Sequence, residues 1–206
     1  MDADAFLEAV RADERTALER LGSDKSLLAA TGADLSAPTV LGVVAGHHAT
    51  LAATYRDWAA AADAPAAHDA FADAATRADD HREALAAERA GEPPERDAPV
   101  TAVEADGDVA RLGALVGQGL VDDRTLLQVV SFFLNEADEA RADLAREARD
   151  AANETAASGA DALTECCGSD DEWARARAAA TDVIEAAYAT YAETLEGMGI
   201  DPKPVC

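Results

Sequence analysis

The histidines are the side chains of this sequence best suited to hold a metal or carry a proton, and all four, His47, His48, His68 and His81, fall within one stretch. A neutral imidazole presents one lone pair to a proton or a first-row metal and one N–H to an acceptor. Two of the four sit on apolar faces. In residues 37–62, Leu41, Val44, His48, Leu51, Tyr55, Trp58 and Ala62 recur at steps of three and four, the spacing of one helix face. In the segment that runs on to about Ala90, Ala67, Phe71, Ala74, Ala78, His81 and Leu85 do the same. The turn between them, at Asp63, Ala64 and Pro65, is short, so the two helices pack antiparallel. His48 lies 16 residues before Ala64 and His81 lies 17 after it, which places both imidazoles at one level.

Other chemistry is sparse. Cys166, Cys167 and Cys206 are odd in number and lack C-x-x-C spacing, so they form neither a disulfide framework nor a zinc knuckle. They read as incidental, with a redox couple between Cys206 and the adjacent pair as the alternative. No phosphate-cradling glycine loop, nucleophile elbow or H-E-x-x-H helix occurs.

The histidine-bearing hairpin resembles the rubrerythrin-type proteins of the ferritin-like superfamily. There one helix carries Glu, six residues, then Tyr, and the next carries Phe-x-x-Thr-Ala-x-x-Glu-x-x-His, the acids and the His being iron ligands. Over about residues 41–89, Tyr55, Phe71 and His81 stand at matching positions, with Ala74 and Ala75 between, while His48 and Ala78 stand where acids are expected. The resemblance implies a ferritin-like antiparallel bundle with a degenerate di-iron site. Such a site takes a Glu from each of two helices and a Glu-x-x-His from each of the other two, and no histidine follows His81. Later acids, including Glu136, Asp138, Glu147 and Glu185, lie mostly off the apolar stripes and read as solvated surface.

The functional expectation is therefore a non-catalytic or weakly metal-binding protein, with no cofactor or at most a first-row transition metal such as Fe or Zn. One alternative is a mononuclear redox or peroxide-handling enzyme in which His48 and His81, joined by His47 or Asp80, hold the ion. Another is a protein-interaction module, docking through a long helix or the Pro-Lys-Pro-Val-Cys tail.

The elements that position these residues read as helical throughout. A first helix is predicted from about Asp4 to Leu21, a short one between Ser23 and Gly32, and then the hairpin of residues 37–90. Three prolines mark 91–107 as a crossing loop. Beyond it, Val109, Leu112, Val116 and Leu120 define a fourth helix, interrupted at Asp122, Asp123 and Arg124. A long fifth helix then carries Leu126, Val130, Phe133, Ala137, Ala140, Leu144 and Ala148 inward. A last helix from about Asp171 packs Trp173, Ala180, Val183, Ala187, Tyr191 and Leu195, and residues 201–206 form an extended tail. All 206 residues fit one all-α domain.

Charge narrows the setting. Against 41 acids stand 17 basic residues, of which only Lys25 and Lys203 are lysines, and the formal net charge is -24. Self-repulsion on that scale destabilises a compact chain in dilute buffer, and concentrated cations screen it. A halophilic protein of a salt-filled cytoplasm is expected. A nucleic-acid partner is excluded by the missing basic surface, and a membrane partner by the lack of an uncharged apolar span. A homodimer stays open, and a protein partner has no sequence signature. The acidic, helix-like opening lacks a basic signal region, in keeping with the cytoplasm.

Overall fold

The computed structural model describes residues 1–88 and 105–203. Among them the chain is all-α, with eight helices: α1 (Ala3–Asp13), α2 (Arg15–Leu21), α3 (Lys25–Thr31), α4 (Ala37–Ala60), α5 (Pro65–Ala87), α6 (Asp108–Asn135), α7 (Glu139–Cys166) and α8 (Asp170–Gly197). No helix among the described residues is long and apolar enough to cross a membrane.

Helix α4 starts where Ser36 accepts a hydrogen bond from the Thr39 backbone N–H and Pro38 occupies the first turn. Helix α5 also opens on a proline. Pairs across the bundle set the directions of the four central helices. His47 meets Asp122, and the Asp63 and Ala64 backbone N–H groups both donate to Asp108, so α4 and α6 run antiparallel. Arg77 pairs with Glu154 and Arg141 with Glu88, so α5 and α7 do likewise. With the hairpins α4–α5 and α6–α7, the order is up, down, down, up, which requires one long crossover between α5 and α6. A single crossover is the connectivity of ferritin-like bundles. Most of the predicted crossing loop, residues 91–104, lies outside the described residues, as do residues 89 and 90.

Helix α8 lies on the outer side of α6 and parallel to it, since Gly113 faces Ala176 and Gly117 faces Ala180. The short helices α1 to α3 close the remaining sides and bury Phe6, Leu7, Val10, Leu18 and Leu21.

Three boundaries differ from the sequence reading. The first helix is two, broken at Glu14, whose N–H still bonds to the Val10 carbonyl. Asp122, Asp123 and Arg124 do not interrupt anything: α6 runs through them to Asn135. The break falls instead at Glu136–Asp138, where Ala137 takes a left-handed conformation with φ 57°. There the Ala137 N–H bonds to the Leu134 carbonyl and the Asp138 N–H to the Phe133 carbonyl, a Schellman ending built without glycine. Asp138 then caps α7. The break resets the phase, so Ala137 and Ala140 are exposed, while Ala148 is buried as expected and α7 also buries Ala142, Ala145, Ala152 and Ala156.

The start of the tail is also packed rather than loose. Pro202 is buried, Lys25 Nζ donates to the carbonyls of Asp201 (2.8 Å) and Lys203 (2.7 Å), and Tyr191 Oη donates to the Pro202 carbonyl at 3.3 Å. Residues 204–206, and with them the proposed Cys206 couple, lie outside the described residues.

Candidate functional site

Two apolar clusters fill the bundle. One runs from Leu51 and Tyr55 through Phe71, Ala78, Leu112 and Val121 to Ala156 and Trp173. The other joins Leu41 and Ala45 to Leu85, Leu126, Phe133 and Ala152. At the seam between them each central helix places a polar side chain: His48 on α4, His81 on α5, Asp122 on α6 and Thr155 on α7. His48 and Asp122 are each only 5% exposed and Thr155 is 7% exposed. The paired histidines do meet, with ring centroids 6.0 Å apart, and His47 stands 5.9 Å from His48. His81 is half-buried, whereas His68 and Asp80 are exposed and take no part.

Asp122 organises one half of the layer. Its Oδ1 lies 2.8 Å from His47 Nε2 and accepts from Gln118 Nε2 at 2.9 Å. Burial alone would lower the basicity of His47, but the Asp122 carboxylate outweighs it and the His47 pKa ends above its ordinary value. His47 is thereby turned away from His48 and committed to a carboxylate. Tyr55, buried deeper and also facing the negative field of Asp122, is held firmly as the phenol.

His48 is the opposite case. Both of its ring nitrogens are buried without a hydrogen-bond partner among the described residues. Burial, with repulsion from His47 and His81, lowers its pKa to about 4 despite the attraction of Asp122. Burial lowers His81 as well. Beside His48 is a cavity of about 20 Å³, bounded by Tyr55, Arg77, His81, Asp122 and Thr155. That is the volume of one water. Arg77 is the unforeseen member: it lines this cavity, and one of its guanidinium nitrogens is buried without a partner among the described residues, although its Nε lies 3.5 Å from Glu154.

This donor set does not fit a pair of irons. Ala78 supplies no bridging acid, and no group of three or more His, Cys, Asp or Glu among the described residues is arranged to hold a metal ion. Arg77 lines the same cavity, and its positive charge disfavours a cation there. The later acids named above stay outside the layer, with Glu136, Glu147 and Glu185 exposed. Comparison with protein-family models, curated proteins and solved structures yields no match to this chain. Fold and site together define an all-helical bundle protein with a polar layer at its centre.

Asp122, Gln118, Thr155 and Arg77 were not singled out from the sequence. For Asp122 and Gln118 a signal existed, because Leu115, Gln118, Asp122 and Leu126 follow one another at steps of three and four. The misplaced helix break hid it.

The layer makes stability depend on pH with a definite sign. A histidine whose folded pKa is lowered gives no penalty above its unfolded pKa of 6.5, and destabilises the fold as pH drops from there toward about 4. For His48 the full loss is about 3 kcal/mol at 1.36 kcal/mol per pK unit. His81 acts in the same direction. His47 opposes them, because its raised pKa adds stability below 6.5 that is lost as pH rises through the folded value. We expect His48→Leu to be at least as stable as the parent at pH 7.5 and to lose less stability between pH 6.5 and 5. Chemical denaturation at fixed KCl across that window measures both slopes; parallel slopes would exclude a neutral buried His48.

Proposed function

We propose that this chain is a non-catalytic, ferritin-like helical-bundle protein of a high-salt cytoplasm, in which the centre that holds iron in rubrerythrin-type proteins has been rebuilt as a metal-poor polar layer. The observation that carries the reading is the His48–His81 pair meeting at one small cavity that Arg77 also lines, with no group of three or more His, Cys, Asp or Glu among the described residues arranged to complete a ligand set. Two imidazoles leave too few protein ligands for a closed four-coordinate ion, so Fe(II) or Zn(II) binds weakly at most.

The test is elemental analysis of the full chain purified in molar KCl and then equilibrated with Fe(II) or Zn(II). Substoichiometric metal is expected, and the His48→Ala, His81→Ala double variant loses what little there is. Two irons per chain would overturn the reading. Stoichiometric single-ion binding that the double variant abolishes would replace it with a mononuclear centre on His48 and His81.

A further inference from the structure

A second, larger cavity lies on the other side of Asp122. It occupies about 140 Å³ between α3, α4, α6 and α8, and its walls are chiefly aliphatic, with Leu27, Val40, Val43, Val44, Leu126 and Val129 among them. The space is half open to the surface rather than sealed. By size it compares with an apolar cavity of roughly 150 Å³ that accepts benzene, so it suits a compact hydrocarbon skeleton.

One end of this space is polar. Thr31, Thr125, Thr190 and Thr194 also line it, but each donates its hydroxyl to a carbonyl of its own helix. At the polar end are His47, Gln118 and Asp122, the last two buried. His47 and Gln118 both use Oδ1 of Asp122. Among the described residues no donor engages Oδ2 of Asp122 or Oε1 of Gln118. The polar end therefore offers acceptors and asks for a donor. An anionic group would meet the Asp122 carboxylate there and find no counter-ion of its own, and part of that carboxylate's charge is already answered by the His47 imidazole and the Gln118 amide N–H.

We propose that this cavity is a binding site for a small neutral molecule, an aromatic or branched hydrocarbon bearing one hydroxyl group, which donates its hydroxyl proton to the Asp122–Gln118 end while its skeleton fills the aliphatic walls. The site is separate from the His48–His81 cavity and needs no metal. Asp122 borders both spaces, so the two share a wall.

The probe is 4-fluorophenol, followed by ¹⁹F NMR and thermal melting of the full chain in molar KCl with EDTA. Saturable binding and a ligand-dependent rise in Tm are expected. Fluorobenzene, which lacks the hydroxyl, binds about tenfold more weakly, the worth of one hydrogen bond. 4-Fluorobenzoate does not bind. Val44→Phe fills the cavity and abolishes binding while leaving helicity intact; if that variant does not fold, Ala30→Leu fills it from the α3 side and serves the same purpose. Asp122→Asn removes the preference for the phenol over fluorobenzene. Absence of saturable binding to the parent overturns the proposal, as does binding that survives a folded cavity-filling variant or equal affinity for phenol and fluorobenzene.

Discussion

Replacing Gly113 with alanine is expected to lower the melting temperature by about 10 °C at matched KCl, the effect of about 3 kcal/mol in a chain of this size. Helices α6 and α8 cross with glycine against alanine in register. A methyl at position 113 would fall well inside contact distance of the Ala176 carbonyl oxygen, with the Ala176 Cα at 2.8 Å. At position 117 it would lie 2.5 Å from the Ala180 carbonyl oxygen and 3.0 Å from the Ala180 Cα. Both obstacles are backbone, so no rotamer change relieves them; the helices must move apart. Doing so unpacks α6 from the buried Ala176 and Ala180 of α8. Overpacking a filled core typically costs about 1–3 kcal/mol, and backbone-to-backbone obstruction belongs at the upper end. Gly197→Ala is the control, because a methyl there meets nothing within 4 Å. It should melt within a degree or two of the parent, and a Gly113→Ala variant that melts with it would refute the close crossing.

That crossing shows where legibility in the sequence ends. Most of the α4 and α5 stripes is legible, since Leu41, Val44, His48, Leu51 and Tyr55, and Ala67, Phe71, Ala74, Ala78 and Leu85, are all buried, while Trp58, Ala62 and His81 are only half-buried and Ala62 lies past the end of α4. Apolar positions recur there at steps of three and four, and a proline lies in the first turn of each helix. The meeting of His48 and His81 follows from the same periodicity and a short turn. In α6 and α7 these cues fail. A left-handed Ala137 ends α6 where glycine would have announced the stop, and Asp122–Arg124, polar residues that look like punctuation, lie within the helix. Asp122 escapes notice because a buried carboxylate is tolerated only when donors from elsewhere in the chain reach it. Those donors, His47 and Gln118, lie 75 and 4 residues away. Arg77 is hidden differently: a long side chain one position from the apolar stripe can reach inward without disturbing the pattern.

Dialysis from molar KCl into dilute buffer is expected to cost most of the helical circular dichroism, and α7 shows why. Glu139, Asp143, Glu147, Asp150, Glu154, Asp161 and Glu165 are all exposed on this helix, the first five at steps of three and four. Residues so spaced are neighbours on a helix face, and like charges there destabilise by about 0.2–0.5 kcal/mol per pair. Arg146 pairs with Asp143 and Arg77 with Glu154 at 3.5 Å, which relieves only part of the stripe. The opposite face of α7 is built largely of alanine, whose small side chains bury little apolar area to offset the repulsion. At 1 M salt the Debye length falls to about 3 Å, shorter than the distance between successive carboxylates, so screening removes the penalty; at 0.01 M it is about 30 Å and every carboxylate of the stripe repels the rest. Neutralising three of these positions together, Glu147→Gln, Asp150→Asn and Glu154→Gln, should therefore move the KCl midpoint of folding to lower salt while leaving the high-salt spectrum unchanged. A parent spectrum and melting temperature that do not change between dilute buffer and molar KCl would refute the dependence, and an unshifted midpoint in the triple variant would place the repulsion elsewhere on the surface.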